Sequence, residues 1–167
     1  MIPIDLTFHG DPALAADVAR RTEADNAGGL FVPEGNHDPF ITLALAASST
    51  DSLPLGTAVA LAFARSPMQM AYSAYDLHRL TGGRFILGLG SQIRPHIERR
   101  YSMPWSSPAA RMEEYIAALH AIWDSWQTGA ALDFRGDFYT HTLMPPLFNP
   151  GPLGFASPEV WLAGVGP

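Results

Sequence analysis

The segment Glu34-Gly35-Asn36-His37-Asp38 sets a carboxylate and an imidazole close together, just past a short apolar run from Leu30 to Pro33. Such a pair can do acid–base work, because an imidazole changes charge near neutral pH. Glu34 and His37 are therefore candidate catalytic residues. A plainer reading makes Asp38 the N-cap of a helix starting at Pro39 and leaves His37 to hydrogen-bond the loop. Gly88-Leu89-Gly90-Ser91-Gln92 follows another apolar run. A dinucleotide fingerprint needs a third glycine at position 93 and a helix opening there. Position 93 is Ile, and Pro95 follows shortly after. The glycine pair instead lets a flat ligand, or the neighbouring backbone, come close to a strand end. Arg94, His96, Arg99 and Arg100 make a basic cluster with Glu98 among them. That reads as a solvated face or, alternatively, as an anion clamp. The histidines, His9, His37, His78, His96, His120 and His141, form no H-E-x-x-H and no close pair. No metal site is assigned.

Positioning these groups falls to alternating strand-like and helix-like runs. Ile2 to Phe8 reads as a strand with Ile4, Leu6 and Phe8 on one face. Asp11-Pro12 starts a helix running to about Asn26, with Leu14, Ala15 and Val18 inward and Gly28-Gly29 at its end. Leu30 to Pro33 is the second strand, and Asp38 starts the second helix. Leu53 to Leu61 is the third strand. Ser66-Pro67 opens a helix that Gly82-Gly83 stops, and Arg84 to Leu89 is the fourth strand. After a loop from Gly90, Ser107-Pro108 caps a long helix. Its face is Met112, Tyr115, Ile116, Leu119, Trp123 and Trp126. Asp133 to His141 reads as a hairpin around Gly136-Asp137. A Pro- and Gly-rich loop from Leu143 to Pro158 leads to a fifth strand, Glu159 to Ala163.

This alternation means α/β with a parallel sheet. The sheet is either open and doubly wound or part of a (β/α)8 barrel, which needs about 250 residues when complete. Gly164-Val165-Gly166-Pro167 resembles a strand-to-helix loop with no helix after it, so the expectation is a single domain over 1–167, cut at its C-terminus.

Ten basic and sixteen acidic side chains give the 167 residues a net charge of −6. That balance disfavours a nucleic-acid footprint. The absence of cysteine removes disulfides, thiolate nucleophiles and Cys-ligated metals. Every basic residue is Arg, which excludes a Lys Schiff base and a P-loop lysine. A hydrophobic content of 47% against 16% charged argues against disorder. No apolar run reaches the roughly 18 to 20 residues that cross a bilayer, and no basic region opens the chain. The expectation is a cytoplasmic protein acting on a small molecule, with no nucleic-acid or membrane partner.

Gly56-Thr57-Ala58-Val59, then Arg65-Ser66-Pro67, then Gly82-Gly83-Arg84-Phe85-Ile86-Leu87-Gly88-Leu89-Gly90 resembles the bacterial luciferase-like family. Thr81 stands where that family usually has Ser. His37-Asp38-Pro39-Phe40, His96-Ile97-Glu98-Arg99-Arg100 and Leu162-Ala163-Gly164-Val165-Gly166-Pro167 resemble its subgroup of oxidoreductases that use the deazaflavin coenzyme F420. The resemblance implies part of a (β/α)8 TIM barrel: about strands 1–5 with helices 1–4 and a small hairpin insertion. It implies hydride transfer between the deazaflavin ring and an organic substrate. An FMN-dependent monooxygenase is the alternative, and an inactive or chain-pairing fragment a third. It also implies a non-proline cis peptide at Ala58-Val59 behind the ring, with Ala60 and Leu61 bordering the same wall. Gly90, Ser91 and Gln92 would lie along the ring's polar edge and His96 near the ring or phosphate chain. Gly164 and Gly166 would begin a phosphate loop. Glu34 and His37 inherit the proton-handling role, with Gly35 where the subgroup usually has a hydroxyl residue. Members often form dimers, so a homodimer is possible.

Overall fold

The computed structural model describes residues 4–164. Ile2 and Pro3 of the expected first strand, and the cofactor candidate Gly166, lie outside them. The chain forms two compact units: Met1–Ala60, Asp76–Gly90 and Pro158–Pro167 in the first, Leu61–Tyr75 and Ser91–Ser157 in the second.

The first unit is built on a parallel sheet. Its strands are β1 (Asp5–Thr7), β2 (Gly29–Val32), β3 (Leu55–Thr57), β5 (Phe85–Gly90) and β8 (Glu159–Leu162), hydrogen-bonded in that order. The expected third strand is broken: β3 stops at Thr57, and a two-residue β4 (Ala60–Leu61) follows. Register places Leu6, Leu30, Leu55 and Phe85 side by side. Paired residues of a parallel sheet share a face. Leu30, Leu55 and Phe85 are buried in the core on that face, with Leu87 and Leu89 following along β5.

Helix α1 (Ala15–Ala24) follows a 3-10 turn over Pro12–Leu14, and Asp11 caps that turn by accepting from the Ala13 N–H at 2.9 Å. The expected inward face is displaced. Ala15, Ala19 and Thr22 are buried, whereas Leu14 is exposed. Asn26, not Gly28, takes the positive φ after the helix, at 54°. Asp38 caps α2 (Pro39–Ala47) as expected, accepting from the Phe40 N–H at 2.8 Å. In α3 (Pro67–Leu80) the chain passes from the second unit to the first, and Gly82 and Gly83 follow at φ 61° and 93°. Ile4 and Leu6, expected on one face of the first strand, are exposed at 72% and 43%.

The loop before β3 is held from two sides. The Glu23 carboxylate accepts from the backbone N–H groups of Asp51, Ser52 and Leu53 at 2.6–3.0 Å and from the Ser52 hydroxyl at 2.9 Å. The Arg84 guanidinium donates to the Thr50 carbonyl at 3.0 Å and also to that of Leu53. The Ser52 N–H is the main cause that holds the Glu23 carboxyl below its usual value, against a smaller opposing desolvation. A carboxylate so depressed contributes stability above its unfolded value, and that contribution is lost as pH falls through the folded value. Urea unfolding of Glu23→Gln should therefore differ from the parent most at neutral pH and converge with it in acid. A constant difference across that range would remove Glu23 as the cause.

The second unit holds α5 (Pro108–Thr128), which runs from Pro108 to a left-handed Gly129. Its expected stripe is largely the buried one: Met112, Tyr115, Leu119, Trp123 and Trp126, joined by Arg111. Ser107 does not cap it. Its backbone is left-handed and its side chain makes no capping bond. The segment expected as a plain loop contains α4 (Arg94–Arg99), closed by an Arg94–Glu98 ion pair at 2.9 Å. The hairpin of β6 (Phe134–Arg135) and β7 (Thr140–His141) is present, with the Asp137, Phe138 and Tyr139 N–H groups all donating to the Glu114 carboxylate. No helix of the described residues is long and apolar enough to cross a membrane.

Candidate active site

One face of the first unit's sheet carries three glycines among large side chains. Gly29, Gly56 and Gly88 sit on it, at register positions beside Asp5, Phe31, Ile86 and Trp161. The missing side chains have a use. A Cβ at Gly29 or Gly56 would stand 2.9 or 2.6 Å from the Phe31 ring, so both glycines let that ring lie flat on the sheet. Trp161 stacks on Phe31, with centroids 5.5 Å apart and planes 18° from parallel. Its indole N–H donates to Glu159 Oε1 at 2.8 Å, which fixes the ring's orientation.

Phe31, Gly88 and Trp161 wall a cavity of about 280 Å³. Asp5 and Thr7 close one side, Leu162 and Ala163 another, and Ala58 and Val59 stand at the C-terminal ends of the strands. Ligand sites in parallel α/β folds occur at that end. The Ala58–Val59 peptide is cis. The stretch is tied to its neighbour: Ala58 N–H donates to the Val32 carbonyl and Glu34 N–H to the Val59 carbonyl, both at 3.0 Å. Thr57 Oγ1 donates to the Gly88 carbonyl at 2.7 Å.

Of the residues expected from sequence, Ala58 and Val59 line the cavity. Glu34 is linked to Val59 through its backbone, half-buried, and His37 is exposed three residues on. Ala60 is fully buried and does not line the cavity. Gly90 ends β5 with its α-carbon facing Val59: a Cβ there would stand 2.6 Å from Val59 Cγ2. Gly164 is exposed after β8. Ser91, Gln92 and His96 belong to the second unit. There Ser91 donates to the Gln92 carbonyl, Gln92 holds a φ of 62°, and His96 is exposed on α4.

Sequence reasoning did not single out Asp5, Thr7, Phe31 or Trp161. A strand's period of two could have linked Asp5 with Thr7, but only register brings Phe31 to Trp161.

A flavin-type ring fits this cavity as a planar, largely apolar body. It would have Phe31 and Trp161 for one wall and the peptide groups of Ala58 and Val59 for another. The lining contains one carboxylate, Asp5, and no cation, so a phosphate-bearing tail would be held elsewhere.

The luciferase-like monooxygenase family model matches residues 5–167. An uncharacterized protein of Mycobacterium tuberculosis is 50% identical over 165 residues, covering 99% of this chain and 48% of that protein. A phthiodiolone/phenolphthiodiolone dimycocerosates ketoreductase of the same organism is 36% identical over 140 residues, covering 82% of this chain and 35% of the ketoreductase. The chain thus spans half or less of the length of these curated relatives. The oxygenating constituent of 3,6-diketocamphane monooxygenase from Pseudomonas putida, solved with FMN, superposes with a TM-score of 0.79 at 16% identity. That match covers 97% of this chain and 52% of the other. The coenzyme F420 dependent tetrahydromethanopterin reductase of Methanopyrus kandleri gives 0.67 at 18% identity, covering 84% and 44%. The fold is that of about half of such a barrel.

Proposed function

We propose a flavin-type redox function from one premise: the chain belongs to the luciferase-like monooxygenase family. The specific reading is an oxidoreductase using coenzyme F420, with FMN as the alternative cofactor, and a carbonyl compound as substrate. The observation that carries it is the cavity lined by the stacked Phe31 and Trp161 together with Ala58 and Val59. The ketoreductase relative supports the carbonyl class.

When bound, a reduced deazaflavin would supply a hydride to an electrophilic carbon. The chain's own residues do the rest. Phe31 and Trp161, stacked on one wall of the cavity, would exclude water from one side of the ring. Ala58 and Val59, anchored through their backbone groups to Val32 and Glu34, would limit its depth. Glu34 and His37, on the loop after β2, hold or move the proton that a carbonyl oxygen takes up on reduction.

Titration of the 167-residue chain with oxidised F420, and separately with FMN, tests this. Trp161 reports on the cavity because it lines it. The expected result is saturable quenching of protein fluorescence at micromolar F420, reduced in Trp161→Phe, with weaker quenching by FMN. A folded chain that shows no saturable quenching by either cofactor would overturn the reading for this chain. Tighter quenching by FMN would replace F420 with the alternative.

A further inference from the structure

We infer that His9 is a further proton-transferring residue of this site, turned toward the ligand at the mouth of the inner cavity; this rests on the function proposed above. Asp5 and Thr7 line the cavity and the intervening Leu6 does not. Successive strand residues alternate faces, so the series Asp5, Thr7 continues at His9. The ladder persists far enough to carry that alternation. Past β1, the Phe8 N–H still donates to the Phe31 carbonyl at 2.9 Å. Register pairs Thr7 with Phe31, which sets His9 level with Pro33, one residue before Glu34. His9 therefore stands at the C-terminal end of the sheet, the end that bears the Ala58–Val59 segment.

The backbone around His9 is fixed on both sides. Phe8 folds its ring over Gly10, where a Cβ would meet it at 2.7 Å, and Asp11 caps the next turn. The imidazole itself is exposed. The ionisable groups nearest it in sequence and register are Asp5 and Asp11 on its own segment and Glu34 across the register.

In the reduction of a ketone, hydride from the reduced carrier bonds to the carbonyl carbon and the π pair moves to oxygen. The His9 imidazolium gives that oxygen its proton and becomes neutral, and the Glu34 and His37 loop returns the proton to it. The carrier is oxidised, the ketone becomes an alcohol, and charge is conserved. An imidazole can play this part because it exchanges protons between about pH 5 and 8.

The test is a histidine-resolved NMR pH titration of the whole chain, with and without oxidised F420, run alongside the Trp161 quenching measurement. The His9 signal is assigned as the one missing from His9→Gln. The expected result is that F420 moves the His9 resonance and displaces its titration midpoint by about half a pH unit or more. The His120 signal, from the second unit, should stay in place. Quenching of Trp161 with no change at His9 would overturn the role of His9 and leave the cofactor reading standing. Absence of quenching would remove both.

Discussion

Gly88→Ala should be among the most damaging single-methyl changes this chain can take. A Cβ at Gly88 would stand 2.0 Å from the Thr57 carbonyl oxygen and 3.1 Å from its carbon. Both are backbone atoms of the adjacent strand, so no rotamer change relieves the overlap. The two strands are also bound at this point by the Thr57 hydroxyl on the Gly88 carbonyl. Accommodating the methyl group means moving β3 away from β5, directly before the Ala58–Val59 segment that walls the cavity. Overpacking of this kind costs about 3 kcal/mol or more where the neighbour cannot yield. The loss of unfolded-state freedom on going from Gly to Ala returns only about 0.4 to 1 kcal/mol. Gly35→Ala is the control, since a Cβ there meets nothing within 4 Å, and it should stay within about 0.5 kcal/mol of the parent. Gly90→Ala should fall between them, because the obstacle is the Val59 side chain, 2.6 Å away, which can turn. Urea unfolding of the three variants gives the order, and F420 quenching of Trp161 should weaken in the same order. A Gly88→Ala chain as stable as Gly35→Ala would show that β3 and β5 are not as close as described.

The same position shows how far the residues alone could be read. Gly88 and Gly90 were legible as a place where something approaches a strand end, with two candidates, a ligand or the neighbouring backbone. For Gly88 it is the Thr57 backbone. That choice depends on the register of β3 against β5, which couples residues about thirty apart and leaves no local trace. Phe31 and Trp161 are invisible for the same reason: their stacking comes from sheet order, not spacing. Leu6 shares the core face with Leu30, Leu55 and Phe85 yet is exposed, because β1 ends the sheet among the described residues. Here the cavity takes the Asp5 and Thr7 face. Local signals did better. Asp38 and Asp11 cap where their side chains predict, and the long stripe from Met112 to Trp126 is buried. Helix α4 escaped because its six residues leave only one buried position, Ile97, and so show no apolar stripe. The cis bond at Ala58–Val59 was legible only through family resemblance, since neither residue type announces it.

Arg111 should prove the most consequential charged residue in the second unit. Arg111 is 6% exposed. It donates from Nε to the Tyr139 hydroxyl at 2.7 Å and from Nη1 to the Pro104 carbonyl at 2.6 Å. The guanidinium carbon sits 4.5 Å from the Phe63 ring centroid and 5.4 Å from that of Tyr139. A planar fork between aromatic faces is an arrangement that lysine cannot reproduce. Arg111→Ala would open a cavity and leave the Pro104 carbonyl without its partner, a loss of about 3 kcal/mol or more. Arg111→Met keeps most of the volume and avoids burying a charge, so it should lose less than the alanine variant. Arg111→Lys retains the charge but not the fork, and should be less stable than Arg111→Met. Tyr139 supplies an independent readout. Burial raises its pKa, while the hydrogen bond and charge of Arg111 pull it down. In Arg111→Met that opposing pull is gone, and the Tyr139 phenol should ionise at still higher pH than in the parent. Tyrosinate absorbance, with Tyr139→Phe subtracted, measures this. A lysine variant as stable as the parent, or a Tyr139 titration unmoved in Arg111→Met, would show that the guanidinium acts as bulk alone and not through its geometry and charge.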